Sequence, residues 1–279
     1  MAQNQQSFIS TPDGANLYLH EWTPDKSSKA VILYIHGLGS HGGRLDHWAK
    51  RFNEKQVAFV ACDQRGHGRT DGKRGGIGHI RQMIGDVPTM VKEVRAKFPG
   101  IPLTLYGHSL GGNIVLNHVI GSDEKVDGLV VSSPWLRLVN PPSKALIGIA
   151  KLLGAIAPRV TLPNGLNADD ISRDKAEADK YRKDPLVHDK ISVGLFLSTE
   201  ESGLYALKNA GKISCPFLLM HGTGDKITSF EASRECAENA GKRTTLKLWE
   251  DGYHELHHEP IRDEVFHFIA DWMKQQKLL

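Results

Sequence analysis

The feature that most constrains this chain is a repeat of short, β-rich apolar runs separated by longer helical stretches. Residues 31–35 run into His36-Gly37, 58–62 into Asp63, 103–106 into Gly107, and 129–131 into Ser132-Ser133-Pro134. Residues 217–220 run into His221-Gly222, and 245–249 into Glu250. Runs this short and this uniformly apolar suit strands buried on both faces, as in a parallel sheet. Between them, residues 78–98 place Ile80, Met83, Ile84, Val87, Met90, Val91 and Val94 on one helical stripe, with Pro88 as a local blemish. Residues 229–240 and 261–276 are further helical patterns. Strand and helix in alternation predict an α/β fold, a mostly parallel twisted sheet with helices on both faces. Residues 7–22, around Asp13-Gly14, read as an antiparallel hairpin at the sheet edge.

One interval breaks the rhythm. About 80 residues separate Pro134 from Cys215, whereas connections in such folds run about 2–6. One crossover helix, 191–210, accounts for part of it. The remainder predicts an inserted helical cap over 135–190, with a core built from 1–134 and 191–279. Within the cap, 145–157 is apolar except for Lys151. It is too short to span a bilayer. Flanked by Lys144 and Arg159, it points to acyl-chain binding and to peripheral contact with a membrane.

Composition narrows the function classes. The chain of 279 residues is 40% apolar and 24% charged, with a net charge of +3, which is ordinary for a globular protein. The basic residues are scattered, so no nucleic-acid partner is expected. Three cysteines, Cys62, Cys215 and Cys236, form neither a disulfide framework nor a Cys-x-x-Cys pair. Residues 1–6 lack the basic end and apolar stretch of a signal peptide, so the expected compartment is the cytoplasm. The sequence does not specify an oligomeric state.

The chemistry is carried by Gly107-His108-Ser109-Leu110-Gly111. A serine hydroxyl is a poor nucleophile and needs a base, a carboxylate that orients the base, and donors for the oxyanion. Gly-x-Ser-x-Gly meets the first geometric demand when it lies between a strand and a helix, because the glycines let both approach a sharp turn. Here 103–106 precedes it and 111–120 follows. The expected order then places an acid and a histidine downstream. Asp225 and His254 each follow a strand, where α/β sheets place their sites. Asp251 is a rival for the acid, and His257 and His258 are rivals for the base. The oxyanion donors fall to the backbone N–H groups of Leu110 and of Leu38, in the loop His36-Gly37-Leu38-Gly39. An aspartate at position 109 would have suited a haloalkane dehalogenase; the serine does not. A ligand receptor on the same fold would keep the pocket but turn over slowly, and fold alone does not separate the two.

His254-Glu255-Leu256-His257-His258 also spells the zinc-protease pattern His-Glu-x-x-His. That chemistry requires a helix presenting both histidines on one face. Gly252 and Pro260 bracket the run, so no metal or other cofactor is expected.

Taken together these segments resemble the monoacylglycerol lipase and lysophospholipase family of the α/β-hydrolase superfamily. The resemblance runs through His36–Arg44, Asp63–Gly72, Gly107–Gly112, Ser172–Leu186, Gly222–Asp225 and Tyr253–His257, in order. It implies an α/β-hydrolase fold, a Ser109–Asp225–His254 triad, an apolar cap over an acyl tunnel, and a polar pocket for the glycerol head. The substrate it implies is a small lipid ester, most simply a monoacylglycerol, with a lysophospholipid or a general carboxylic ester as the alternative. Matching positions for the head-group pocket are Arg44, His108, Tyr181 and His257. One position departs: eukaryotic members carry Glu where Ser40 stands, which removes a carboxylate acceptor from that pocket.

Overall fold

The computed structural model describes residues 3–279; Met1 and Ala2, at the start of the stretch tested above for a signal peptide, lie outside the described residues. The strands are β1 (Gln3–Ser10), β2 (Asn16–Thr23), β3 (Ala30–Ile35), β4 (Val57–Asp63), β5 (Leu103–His108), β6 (Gly128–Ser132), β7 (Thr161–Pro163), β8 (Lys190–Ser192), β9 (Phe217–Gly222) and β10 (Thr244–Trp249). Eight of them form one sheet in the order β1-β2-β4-β3-β5-β6-β9-β10. The β1–β2 and β2–β4 pairs are antiparallel and all others in that sheet are parallel. The predicted edge hairpin is therefore β1–β2, and the apolar runs are the parallel strands.

The helices are α1 (Asp46–Glu54), α2 (Arg81–Lys97), α3 (Leu110–Gly121), α4 (Lys144–Ile156), α5 (Lys175–Lys183), α6 (Val193–Asn209), α7 (Phe230–Ala240) and α8 (Arg262–Gln275). Alternation along β3 shows how the sheet divides the core. Val31, Leu33 and Ile35 face one cluster with apolar residues of α2, α3, α6 and α7. Ala30, Ile32 and Tyr34 face the other, with α1 and α8. Each strand residue is at most 1% exposed, and burying such an aliphatic side chain stabilises by about 1.5–3 kcal/mol. Leu33→Ala would leave a cavity and cost about 2–5 kcal/mol. Pro88 lies inside α2, on its exposed face. An interior proline costs a helix about 3 kcal/mol, here offset by the buried row Met83, Val87, Met90, Val91 and Val94.

Residues 135–190 contribute no strand to the large sheet. They hold α4, α5 and β7, which pairs antiparallel with β8. Ser143 caps α4 by accepting the Leu146 N–H. No residue of α4 is buried; Leu146, Ile149, Leu152 and Ile156 are 54–87% exposed. Their i, i+3 and i, i+4 spacing puts them on one face. No helix among the described residues is long and apolar enough to cross a membrane. All three cysteines are free and buried.

Candidate active site

Ser109 sits at the junction of β5 and α3 with φ 54° and ψ −117°, a conformation that costs a residue with a Cβ about 1–3 kcal/mol. The surroundings over-determine it. Its N–H donates to the Ser132 carbonyl (3.0 Å), and its own carbonyl accepts from Asn113 (3.1 Å) and Trp135 (3.0 Å). The turn closes only around glycine. A Cβ on Gly107 would lie 2.4 Å from the Gly111 carbonyl oxygen, and one on Gly111 only 2.0 Å from that of Ile35. The Ser109 side chain is hydrogen-bonded to none of the described residues and lines a cavity shared with His254. Leu110 opens α3, so its N–H lacks an intrahelical acceptor. Leu38 lines the same cavity, in a loop so close that a Cβ on Gly37 would lie 3.1 Å from Cβ of Ser109.

Asp225 follows β9 and is held from two sides. Its Oδ1 accepts the backbone N–H groups of Ile227 (2.7 Å) and Thr228 (3.1 Å). Its Oδ2 accepts from His254 Nδ1 (2.7 Å), Thr228 Oγ1 (3.0 Å) and His221 Nε2 (3.1 Å). Burial opposes ionisation, but the charge of His254 and the hydrogen bonds of His221 and His254 outweigh it and hold the carboxyl far below its usual range. For His254 the balance has the matching sign. Burial disfavours the imidazolium, yet the Asp225 carboxylate raises its pKa above the ordinary histidine value.

The rivals are placed elsewhere. Asp251 is exposed in the turn after β10, with φ 54° and its N–H on Thr223 Oγ1. His258 gives Nδ1 to Glu255 Oε2 (2.8 Å). His257 is packed between Trp48, Tyr34 and His108. Leu256–His258 forms a single 3-10 turn, not an α-helix, so this segment lacks the helix that the zinc-protease geometry requires.

The cavity at Ser109 has a volume of about 400 Å³. Leu38, Trp135, Leu138, Ile191 and Phe196 supply apolar wall; Ser40, His108, Tyr181 and Glu255 supply polar wall. A smaller cavity of about 200 Å³ adjoins it, shares Pro142, Asn164, Ile191 and Phe196, and is walled by Leu146, Ile147 and Ala150 of α4. Of the four expected head-group residues, His108 and Tyr181 line the main cavity; Arg44 and His257 do not. Arg44 lies behind Glu255, donating to Oε1 (2.5 Å) and Oε2 (2.8 Å), with its guanidinium 4.7 Å from the Tyr181 ring centre. Burial pushes the His108 pKa well below the histidine value, so this ring is neutral.

Sequence reasoning missed Glu255, His221 and Thr228. Glu255 was visible only as the middle of the zinc pattern, and the departure at Ser40 suggested a pocket without a carboxylate. The cavity wall holds Glu255, from the loop after β10, and Asp170. His221 and Thr228 flank Asp225 in the chain, but nothing in their spacing reveals that they converge on Oδ2.

The parallel sheet, the strained serine between β5 and α3, and the Asp225–His254 pair at the ends of β9 and β10 define an α/β-hydrolase of the serine type. The sequence model of the serine aminopeptidase S33 family (Hydrolase_4) matches residues 26–261. The chain is 31% identical over 273 residues to a monoacylglycerol lipase of Mycolicibacterium smegmatis, covering 97% of each chain. It is 34% identical to an uncharacterized abhydrolase domain-containing protein of Dictyostelium discoideum over 97% of its own length, but spans only 29% of that relative. The crystal structure of a monoacylglycerol lipase of Paleococcus ferrophilus superposes with a TM-score of 0.86 at 32% identity, over 93% of this chain and 99% of that one. The chain belongs to the serine aminopeptidase S33 family of α/β-hydrolases, on the branch that holds the monoacylglycerol lipases, and is a serine ester hydrolase.

Proposed function

We propose that this enzyme hydrolyses monoacylglycerols to a fatty acid and glycerol, with Ser109 as nucleophile, His254 as general base and acid, and Asp225 as the group that orients His254. The observation that carries the reading is the Asp225–His254 hydrogen bond of 2.7 Å beside a Ser109 that lines the same cavity. Catalytic hydrogen bonds to the nucleophile commonly tighten only once substrate is bound.

The mechanism follows from these positions. Ser109 Oγ attacks the ester carbonyl as His254 Nε2 takes its proton. Asp225 fixes the Nδ1–H tautomer and stabilises the imidazolium. The Leu38 and Leu110 N–H groups receive the oxyanion; losing one such donor typically costs about 2.7–4 kcal/mol. The alkoxide leaves with the proton from His254, giving glycerol and an acyl-enzyme. Water then attacks the acyl carbon, His254 again takes and returns the proton, and the fatty acid departs.

The remaining parts find roles in the same reading. Residues 135–190 act as a cap. The apolar wall and the adjoining cavity under α4 suit the acyl chain, and the polar wall suits the head. The exposed apolar face of α4, flanked by Lys144, Lys151 and Arg159, makes peripheral contact with a membrane, where such substrates reside. A lysophospholipid is the second substrate class this shape admits.

A panel of monoacylglycerols, lysophospholipids and simple esters of one fatty acid tests the assignment. Monoacylglycerols should show the highest kcat/KM. Equal or higher kcat/KM for every other class would refute the substrate, and no turnover of any ester by folded protein would refute the mechanism.

A further inference from the structure

Glu255 stands out among the buried charges because it lies on the wall of the catalytic cavity and is next in sequence to the base. It is 4% exposed. Its oxygens take two hydrogen bonds from Arg44 and one from His258 Nδ1. Burial opposes its charge, but Arg44 and His258 hold the carboxyl well below the usual glutamate value, so it is ionised. A carboxylate offers about four acceptor sites. Oε2 has two donors, from Arg44 and His258, whereas Oε1 has one, from Arg44. Oε1 therefore keeps an acceptor site, on a residue that faces the cavity while its neutralising guanidinium lies behind it.

The neighbours restrict what can use that site. His108 lines the same wall, and one ring nitrogen of His108, one of His257 and a Glu255 oxygen lie within 4.8 Å of one another. His257 Nδ1 is buried with no partner among the described residues. A cation among these three groups is disfavoured, because Arg44 already supplies the positive charge at Glu255. The acceptor site left on Oε1 suits a neutral donor. An alcohol hydroxyl can donate to Oε1 and accept from an imidazole N–H.

Resting on the monoacylglycerol reading, we infer that Glu255 is the residue that specifies the leaving alcohol. Its Oε1 accepts a hydrogen bond from a free hydroxyl of a polyhydric alcohol, whereas an ionised phosphate in the same place has no proton to donate to it. Arg44 and His258 are positioning residues that keep the carboxylate ionised and aimed. The consequence separates the two substrate classes that shape alone admits: a glycerol ester is favoured over a hydroxyl-free ester of the same acid, and a phosphorylated glycerol ester is rejected. A site built to bind a hydroxyl discriminates strongly against an analogue lacking it, because the buried acceptor is left unpaired.

The test measures kcat/KM for monooctanoylglycerol, ethyl octanoate and monooctanoylglycerol phosphate with native enzyme, Glu255→Gln, and the double variant Arg44→Met with Glu255→Leu. The double variant matters because a lone Glu255 change strands a buried guanidinium, whereas replacing both partners with apolar groups is commonly tolerated. Thermal melting and fluorophosphonate labelling of Ser109 identify the folded, active-site-competent proteins. In either variant the glycerol-to-ethyl ratio should fall about tenfold or more, chiefly through KM, and the phosphate-to-glycerol ratio should rise. A merely structural Glu255 would scale all three substrates together. Both ratios within about twofold of native in a folded, labelled variant would overturn the inference alone. A native enzyme that prefers ethyl octanoate to monooctanoylglycerol would overturn the monoacylglycerol reading, and the inference with it.

Discussion

Replacing Asp225 with asparagine changes almost no volume, yet the hydrogen-bond directions around it predict a large loss of activity. Two donors on the Oδ1 side, the N–H groups of Ile227 and Thr228, belong to the backbone and cannot turn round. The amide oxygen of an asparagine must face them, because the reverse orientation would set NH₂ against two fixed N–H groups. The NH₂ then replaces Oδ2 opposite His254 Nδ1, 2.7 Å away. His254 can accept that bond only by carrying its proton on Nε2, and an Nε2–H cannot take the proton of Ser109. A wrong-tautomer base lowers kcat by about 10⁴-fold, or about 5.5 kcal/mol at 1.36 kcal/mol per factor of ten.

The same substitution moves the pH profile. In the native enzyme His254 titrates above the ordinary histidine value of 6.5 because Asp225 outweighs burial. With neutral His254 as the proposed base, kcat/KM should fall as pH drops through that raised pKa. Without the carboxylate, burial dominates and favours the neutral ring, so the acid limb should move to lower pH. Stopped assays of a p-nitrophenyl ester across pH, with thermal melts to establish folding, measure both effects. A folded Asp225→Asn enzyme retaining activity within about tenfold of native, where about 10⁴-fold loss is expected, would refute the reasoning.

Three further predictions follow from the same geometry. Ser109→Ala should abolish fluorophosphonate labelling and ester turnover while leaving the melting temperature near native; turnover near the native rate would remove Ser109 from the mechanism. Gly111→Ala places a methyl 2.0 Å from the Ile35 carbonyl oxygen and 2.6 Å from that of His36, so the end of β3 or the start of α3 must shift. The expected cost is about 1–3 kcal/mol or more, read as a lower melting temperature together with a fall in kcat. Leu152 and Ile156 are 72% and 87% exposed, so changing both to serine should leave stability nearly unaltered, yet weaken sedimentation with anionic lipid vesicles about tenfold or more.

How much of this was legible in the chain depends on the range of the interaction. The parallel strands were visible because burial on both faces demands unbroken apolar runs. The Ser109 turn was visible because Gly107 and Gly111 are within four residues of each other and of Ser109. Asp225 and His254 were candidates by their position after strands, but Asp251, His257 and His258 satisfied the same local pattern. The choice among them came from β9 and β10 lying side by side, which sets the loops after their ends against each other. Arg44 was expected to meet the head group directly, and instead it stands behind Glu255, 211 residues away in sequence.

The sequence by itself determined the architecture and the sharp turn that carries Ser109, since both rest on patterns a few residues long: periodic burial in the strands and helices, and a turn too tight for any side chain on its flanking glycines. Only the tertiary structure decided which carboxylate meets which histidine, and that Glu255 lines the same cavity as Ser40. The reason is physical. A hydrogen bond of 2.7 Å between Asp225 and His254, or a buried ion pair between Arg44 and Glu255, depends on how distant segments are packed by the core, and no local pattern of residues encodes that distance.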